Sequence, residues 1–358
     1  MSTGRLQGSV RIVGAGLIGT SIGLALSKLG VEVSLVDSSP ANVRLAVDYG
    51  AGVVAADDDN PELIVVCVPP DVTATVVLSE LQNFPDAVVT DVASVKAPIL
   101  DELAAAAADL SRYVGSHPMA GREKGGASSG RADIFVARPW VIATQSEASA
   151  QSLALVEQLA LDLEAVPVRM TPLEHDRAVA LVSHVPQLVS SVLAAQLVGA
   201  DGVELAGQGL RDTVRIAASD PKLWVQILGA NAPEIVKVLK SFEKDLSGVI
   251  TALEDVTTAG ALSTIDQAIA RGNRGVETLP GKHGSRMSQY SNYVVMIDDQ
   301  PGELARLFNE IGEIGINVED LKLEHSPGAQ IGLVEVSVLP SSGDRLVTEL
   351  SDRGWRFA

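Results

Sequence analysis

Three glycines near the start of the chain restrict the fold of everything around them. Gly14, Gly16 and Gly19 follow a short apolar stretch at residues 10–13 and open a segment of helical periodicity. The order strand, G-x-G-x-x-G, helix predicts a dinucleotide-binding turn. In such a turn Gly14 allows the tight bend, Gly16 lets the backbone approach a pyrophosphate, and Gly19 lets the helix pack closely on the strand.

The surrounding residues indicate which dinucleotide would fit. Leu17 and Ile18 begin the helix, whose N-terminal N–H groups would face the phosphates. Asp37 ends the second predicted strand, where a carboxylate accepts hydrogen bonds from ribose hydroxyls and repels a 2′-phosphate. Serines follow it, so NAD is favoured over NADP. Val68 and Pro69 end a later strand and are expected to line the cofactor cleft.

Strand and helix patterns alternate up to about residue 170. Predicted strands cover residues 10–13, 31–36, 63–68, 87–90 and 140–143. Helical segments such as 19–29 and 97–110 lie between them. Strands separated by helices predict a parallel, doubly wound Rossmann-type α/β domain over residues 1–170.

The pattern changes twice beyond residue 170. Almost every segment of residues 171–275 has helical periodicity; the stretch 178–197 is long and apolar, and 234–253 is another long helix candidate. This favours an all-α domain buried against a partner subunit in a homodimer, with burial inside one chain as the alternative. After a Gly-rich, basic linker at 276–289, residues 290–358 read strand–helix–strand–strand–helix–strand, a ferredoxin-like order.

Composition excludes several classes of function. The net charge of −18 disfavours binding to nucleic acid or to anionic membranes. The single cysteine, Cys67, excludes an intrachain disulfide, and no Cys/His cluster has metal-ligand spacing, so no metal is expected. The chain shows no signal-peptide pattern and no sufficiently long apolar run, so a cytoplasmic protein is expected.

Several polar residues follow predicted strands or interrupt the helical segment. Ser94 and Lys96 come after the fourth strand, and His117 lies in the turn-rich hexapeptide 116–121. A histidine exchanges a proton near neutral pH, although a lone histidine in a loop is also common as a hydrogen-bonded structural residue. His184 and Arg215 belong to the helical segment.

As an ordered set, these pieces resemble the prephenate/arogenate dehydrogenases of tyrosine biosynthesis. The matching blocks are 14–19, 90–96, 116–121, Ser183-His184-x-Pro186, and 211–217 with Trp224. The resemblance implies that NAD⁺ takes a hydride from ring carbon C4 of prephenate while CO₂ leaves C1, giving 4-hydroxyphenylpyruvate. Arogenate is the alternative substrate, and tyrosine would then be the product.

The resemblance also implies a role for each matching residue. His117 would accept a hydrogen bond or the proton from the C4 hydroxyl, Ser94 would help orient that hydroxyl and His117, and Arg215 would bind the ring carboxylate. Further substrate-binding residues would be Lys96, His184, Gln187 and Trp224. His184 is equally suited to a helix–helix contact, and Trp224 is better suited to packing at the pocket edge than to chemistry. Many relatives carry a second histidine where this chain has Gln187, which leaves the choice between prephenate and arogenate open.

The tail resembles an ACT domain, a module that commonly binds an amino acid. This implies an effector, tyrosine by resemblance, bound near Asp299, Pro301, Gly302 and Asn317. Two other functions stay open. Another Rossmann hydroxyacid dehydrogenase would need a catalytic lysine on a helix of the second domain, and no convincing candidate is found. A non-enzymatic sensor of NAD and an amino acid would leave the site residues unexplained.

The remaining histidines carry simpler expectations. His175 and His325 are expected to be structural or solvated, and His283 to be a linker residue.

Overall fold

The described residues form two compact units. The computed structural model describes residues 4–121, 125–279, 290–325 and 331–358. The first unit comprises Met1–Asp201 and Thr213–Ser241, and the second comprises Gly202–Asp212 and Phe242–Ala358. Residues 280–289 of the predicted linker, including His283, lie outside the described residues, as does the side chain of His325.

The first unit is built on a sheet that helices cover on both faces. Its strands are β1 Val10–Val13, β2 Val33–Val36, β3 Val53–Val54, β4 Leu63–Val66, β5 Val88–Asp91, β6 Tyr113–Pro118, β7 Pro139–Ala143 and β8 Val166–Met170. The covering helices are α1 Leu17–Lys28, α2 Pro40–Asp48, α3 Pro70–Asn83, α4 Ala97–Ala105 and α5 Ala150–Asp162. The strand order β3-β2-β1-β4-β5-β6-β7-β8 is that of a doubly wound fold, which confirms the Rossmann-type prediction.

One edge of this sheet departs from the prediction. Strands β1 to β6 run parallel, but β7 pairs antiparallel with β6 and parallel with β8. A parallel return needs a long crossover, usually a helix. In the described part of residues 119–138 the chain forms only the short 3-10 turn Ala127–Ser129, so it turns back beside β6. The expectation of an all-parallel sheet is therefore wrong at this edge.

The core of the first unit divides between the two faces of the sheet. Every side chain of β4 is buried, as parallel strands covered on both sides require. One apolar cluster includes Ile12 and Trp140, and the cluster on the other face includes Ile64 and Tyr113. Aliphatic side chains dominate both clusters, in keeping with an aromatic content of 3%.

A long helix continues from β8. It runs as α6 Pro172–Val179, a π-helical turn Ala180–His184, and α7 Val185–Ala195. A capping box between Thr171 and Glu174 fixes its start, and Pro172 occupies the first turn, where a missing N–H costs nothing. Among the described residues it is the one helix long and apolar enough to cross a membrane. Its buried face nevertheless carries hydrogen-bonded polar side chains, as in a core helix.

The rest of the helical segment is shared between the units. Its helices are α8 Gln208–Val214, α9 Pro221–Ala230, α10 Ala232–Glu254 and α11 Ala261–Val276. Exposed large apolar side chains recur along them, including Phe242, Leu246, Ile250, Leu262 and Ile269.

The end of the chain forms a small sheet domain within the second unit. Its elements are β9 Ser291–Asp298, α12 Glu303–Glu313, β10 Asp320–His325, β11 Ile331–Val338, α13 Gly343–Asp352 and β12 Arg356–Phe357. The antiparallel sheet has the order β10-β11-β9-β12 and packs α12 and α13 against one apolar face. The predicted βαββαβ order is confirmed.

Two glycines of the first turn give a matched pair of stability tests. A Cβ at Gly19 would overlap the carbonyl oxygen of Gly14, whereas a Cβ at Gly16 would meet no heavy atom within 4 Å. We expect Gly19→Ala to lower the free energy of unfolding by about 1–3 kcal/mol, because backbone atoms must move. Gly16→Ala should leave it unchanged or slightly raised. Urea unfolding measures both, and equal stabilities would contradict this packing.

Candidate active site

The candidate site lies at the carboxyl edge of the parallel strands. The glycine turn follows β1, Asp37 follows β2, Ser94 lies after β5, and His117 occupies the end of β6. His117 is thus part of a paired strand, opposite Val141 of β7, and not of a loop as the sequence suggested.

The glycine turn has the shape that a dinucleotide needs. Gly14 has φ +107°, and its N–H donates to the Val36 carbonyl at 2.7 Å. A Cβ there would overlap the carbonyl oxygen of Cys67, so only glycine fits. Gly16 caps α1 and faces open space, which leaves room for a phosphate beside the helix N-terminus.

Asp37 lies directly beside this turn. Its Oδ2 accepts the Ala15 N–H at 2.8 Å and its Oδ1 accepts the Ser39 N–H at 2.8 Å. The partly buried carboxylate therefore both braces the turn and presents negative charge at the end of β2. Of the other predicted cofactor residues, Leu17, Ile18 and Val68 are partly buried and Pro69 is exposed. These residues fit a dinucleotide with unmodified ribose hydroxyls.

A chain of hydrogen bonds leads from Asp176 to His117. His175 Nδ1 lies 2.7 Å from Asp176 Oδ1, and His175 Nε2 lies 2.8 Å from His117 Nδ1. A carboxylate only accepts, so His175 donates from Nδ1 and, when neutral, accepts at Nε2. His117 then donates from Nδ1, which leaves a lone pair on its Nε2. The chain thus sets the His117 tautomer that can accept a proton.

Burial keeps His117 neutral. Desolvation lowers the pKa of the His117 imidazole well below its usual value, and the nearby His175, Lys96 and His184 lower it further. Burial also lowers the pKa of His175, although the hydrogen bond to Asp176 opposes this shift. A neutral imidazole with a free acceptor nitrogen is the form that a general base requires.

Backbone N–H groups fix the position of the Asp176 carboxylate. Asp176 is 2% exposed, and its two carboxylate oxygens accept the backbone N–H groups of Lys96 and Ala97, each at 2.8 Å. These N–H groups belong to the start of α4, so one carboxylate joins α6 to the loop after β5.

Lys96 does not lie where a substrate could bind it. The side chain is 1% exposed, and its ammonium pairs with Asp91 and donates to the Ser116 carbonyl at 2.8 Å. Tyr113 donates to the other Asp91 oxygen at 2.7 Å. Burial lowers the pKa of Lys96, with Asp91 opposing the shift. The expected substrate contact of Lys96 is therefore corrected to a structural ion pair that supports the strand residue preceding His117.

Ser94 is placed in the loop between Asp91 and Lys96 and is partly exposed. Within the described part of the chain its hydroxyl makes no hydrogen bond. The Nδ1 of His117 is instead hydrogen-bonded to His175. Ser94 thus lies at the same edge as His117 without orienting its ring in this structure.

A second imidazole is oriented by Asn231. The Asn231 amide nitrogen donates to the Asp176 carbonyl at 2.8 Å and lies 3.0 Å from His184 Nδ1. Because the carbonyl can only accept, the Asn231 Nδ2 assignment holds, and His184 Nδ1 must accept. Neutral His184 therefore donates from Nε2. Burial and the nearby His175 lower the pKa of His184 to about 4. The ring of Trp224 lies edge-on to that of His184, with the two ring centroids 6.2 Å apart.

Two side chains of α7 fix the segment that carries Arg215. Gln187 donates to the Ser219 hydroxyl at 2.7 Å, and Ser190 donates to the Thr213 carbonyl at 2.8 Å. These bonds bracket the 3-10 turn Arg215–Ala217, in which the Arg215 side chain is exposed. The buried amide of Gln187 and the exposed guanidinium thus belong to one corner of the helical segment.

Sequence reasoning missed His175, Asp176 and Asn231. The signal for the first two was a His-Asp pair directly after Glu174, which closes the capping box at the start of α6. Their partners are distant in sequence, 58 residues for the His175–His117 contact, so no local pattern reveals the contact.

The predicted effector residues fall into two places in the small sheet domain. Asp299, Pro301 and Gly302 follow the end of β9, which pairs with Ile331 at the start of β11. Asn317 precedes β10, whose start pairs with Ser337 near the end of β11. Within one copy of the domain, Asn317 and the other three residues therefore lie at opposite ends of α12.

A dinucleotide cradle and a neutral imidazole with a fixed acceptor nitrogen, both at the carboxyl edge of one sheet, define a Rossmann-type dehydrogenase. Residues 22–169 match the family model of the prephenate dehydrogenase nucleotide-binding domain, and residues 171–265 match the model of its dimerization domain. The chain belongs to the prephenate dehydrogenase family, as the resemblance of its motifs predicted.

Known proteins are similar over most of the chain. A probable prephenate dehydrogenase of Streptomyces niveus, NovF, is 35% identical over 96% of this chain and 98% of its own. Prephenate dehydrogenase from A. aeolicus, in complex with hydroxyphenyl propionate and NAD⁺, is 25% identical with a TM-score of 0.67, covering 75% of this chain and 98% of its own. Synechocystis arogenate dehydrogenase is 26% identical with a TM-score of 0.62, covering 75% and 100%.

The two tautomers can be tested without any substrate. At neutral pH, ¹⁵N chemical shifts should show His117 protonated on Nδ1 and His184 protonated on Nε2. Asp176→Asn should abolish the preference at His117 and leave the Nε2–H form of His184. His117 should titrate below pH 6.5, because desolvation opposes its protonation. A His117 proton on Nε2 in the unsubstituted protein would contradict the assigned chain of hydrogen bonds.

Proposed function

We propose that the protein catalyses the NAD-dependent oxidative decarboxylation of prephenate to 4-hydroxyphenylpyruvate. The observation that carries the proposal is the Asp176–His175–His117 chain, which leaves His117 Nε2 as a proton acceptor. Family membership supports the reaction class, and the solved A. aeolicus relative holds NAD⁺.

His117 would remove the proton of the C4 hydroxyl. As the C4–O bond becomes a carbonyl, the hydride leaves C4, the C1–carboxylate bond breaks with loss of CO₂, and its electron pair completes the aromatic ring after enolisation. Bound NAD⁺ supplies the hydride acceptor. The positive charge that develops on His117 is stabilised through His175 by the buried carboxylate of Asp176. General-base assistance of this kind is worth about 10²–10⁴ in rate.

The helical segment would hold the substrate. Arg215 offers a planar fork suited to a ring carboxylate, and the turn that carries it is anchored to α7 on both sides. His184 offers a neutral Nε2–H donor, and Trp224 packs against its ring. Ser94 contributes a hydroxyl at the edge of the sheet, within reach of a bound alcohol group in this proposal.

Arogenate is the second candidate substrate, and Gln187 is the observation that favours it. The amide is neutral and buried, so it adds no cation for the side-chain carboxylate of prephenate. An amide can instead accept a hydrogen bond from the ammonium group of arogenate. The similarity to Synechocystis arogenate dehydrogenase adds support.

We also propose a cytoplasmic homodimer joined through the helical segment. Most exposed large apolar side chains of the described residues fall between Leu173 and Leu279, a region that overlaps the dimerization-domain match at 171–265. Covering such a surface with a second copy removes it from water.

The small sheet domain is proposed to bind an amino-acid effector, tyrosine by resemblance. Its βαββαβ order supports an ACT-like module. Because Asn317 and the Asp299–Gly302 loop lie at opposite ends of the sheet, a site that uses both would need two copies of the domain.

The activity is tested by mixing the protein with NAD⁺ and either prephenate or arogenate and following NADH absorbance. We expect turnover with prephenate and a kcat lower by about 10²–10⁴ for His117→Asn, because the proton acceptor is lost. NAD⁺ affinity should not change, since His117 is separate from the glycine turn. Faster turnover of arogenate would transfer the proposal to that substrate, and no turnover of either would refute it.

Effector binding is tested by titrating tyrosine into the same assay. Tyrosine should inhibit, and Asn317→Ala should raise the half-inhibitory concentration about tenfold by removing one polar contact. Asp344→Ala, on α13, is the matched control and should leave inhibition unchanged. An undiminished rate at saturating tyrosine would exclude tyrosine as the effector.

A further inference from the structure

The long helix of the first unit changes its winding just before the second imidazole. Within the turn Ala180–His184 the Val185 N–H bonds to the Ala180 carbonyl, five residues back instead of four. Such π turns insert one extra residue into an α-helix and often occur at functional sites.

Pro186 supplies the physical reason for this turn. A proline inside a helix has no N–H to donate, and its ring collides with the carbonyl four residues earlier, here that of Val182. Widening the preceding turn moves that carbonyl away from the ring. Pro172, in contrast, stands in the first turn of α6 and causes no disturbance.

The extra residue changes which side chain faces inward. Buried positions on the first part of the helix are His175, Asp176, Val179 and Ala180. With 3.6 residues per turn the centre of this stripe would continue at Ser183, and His184 would lie at its margin, about 40° beyond Ala180. In the structure His184 is 1% exposed and Ser183 is only partly buried.

Asn231, which lies between α9 and α10, holds the His184 ring in its inward position. Its amide bridges the Asp176 carbonyl, before the π turn, and His184 Nδ1, at the end of it. Asp176 is adjacent in sequence to His175, whose Nε2 holds His117, so the Asn231 bridge links the His184 ring to the segment that orients His117.

We infer that Pro186 is a positioning residue, which imposes the π turn and thereby places His184, instead of Ser183, at the centre of the buried face, where its Nδ1 meets Asn231. The inference deepens the proposed function, because it assigns the substrate-facing donor of the helical segment to a backbone irregularity. Ser183 in the same place would be too short to reach both Asn231 and a substrate.

The experiment compares Pro186→Ala with Pro172→Ala by NMR and kinetics on the full chain. In Pro186→Ala the helix can close into regular α form, so the His184 pKa should rise from about 4 toward its usual value and its Nε2–H preference should be lost. kcat/KM should fall about tenfold or more, as expected for the loss of one polar substrate contact. Pro172→Ala should change neither.

A rescue variant separates positioning from simple destabilisation. Deleting the exposed Leu181 from Pro186→Ala removes the extra residue, and a regular helix then carries His184 to the inward position. The low His184 pKa and kcat/KM should return together. An unchanged His184 titration in Pro186→Ala, or no recovery on deletion, would overturn the inference. Because the titration needs no substrate, it remains decisive even if prephenate and arogenate are both inactive.

Discussion

The carboxylate of Asp176 is the contact on which the site depends. It binds the first N–H groups of α4 and the imidazole of His175 at the same time. The first pair of bonds ties the helical segment to the Rossmann sheet, and the last determines where protons lie on two histidines. Removing this one charge would therefore weaken the bonds to α4 and abolish the tautomer preference of the two histidines, because the same two oxygens make all of these contacts.

A buried ion pair, Lys96 with Asp91, is the next neighbour of Asp176, because the backbone N–H of Lys96 donates to the Asp176 carboxylate. Lys96 and Asp91 are enclosed together with the Tyr113 hydroxyl, and each polar atom finds a partner. Burying an ion pair rarely adds stability over apolar packing, because desolvation offsets the attraction. Its value here is orientation, since the ammonium holds the carbonyl of Ser116, and its positive charge disfavours protonation of His117. The short stretch between Asp91 and Ala97 thus serves both networks.

Local patterns predicted the parts of the molecule that local chemistry decides. The glycine turn, Asp37 and the βαββαβ order of the tail depend on neighbours in sequence, and the structure has them where expected. The antiparallel direction of β7 was missed because it depends on whether the segment between β6 and β7 forms a crossover helix. Burial of Lys96 and the His175–His117 contact were missed because their partners come from distant elements. The π turn could have been suspected from Pro186, which has no N–H to donate inside a helix.

The position of His117 on a doubly paired strand has an evolutionary consequence. Its strand is bonded to β5 on one side and to β7 on the other, and Met119 N–H continues the ladder to Pro139. An insertion or deletion inside such a strand would shift every following side chain to the opposite face. His117 is therefore the least adaptable residue of the candidate site. Under the proposed function, a new substrate would be accommodated by the helical segment, where turns and caps tolerate change, while the strand that carries His117 stays fixed.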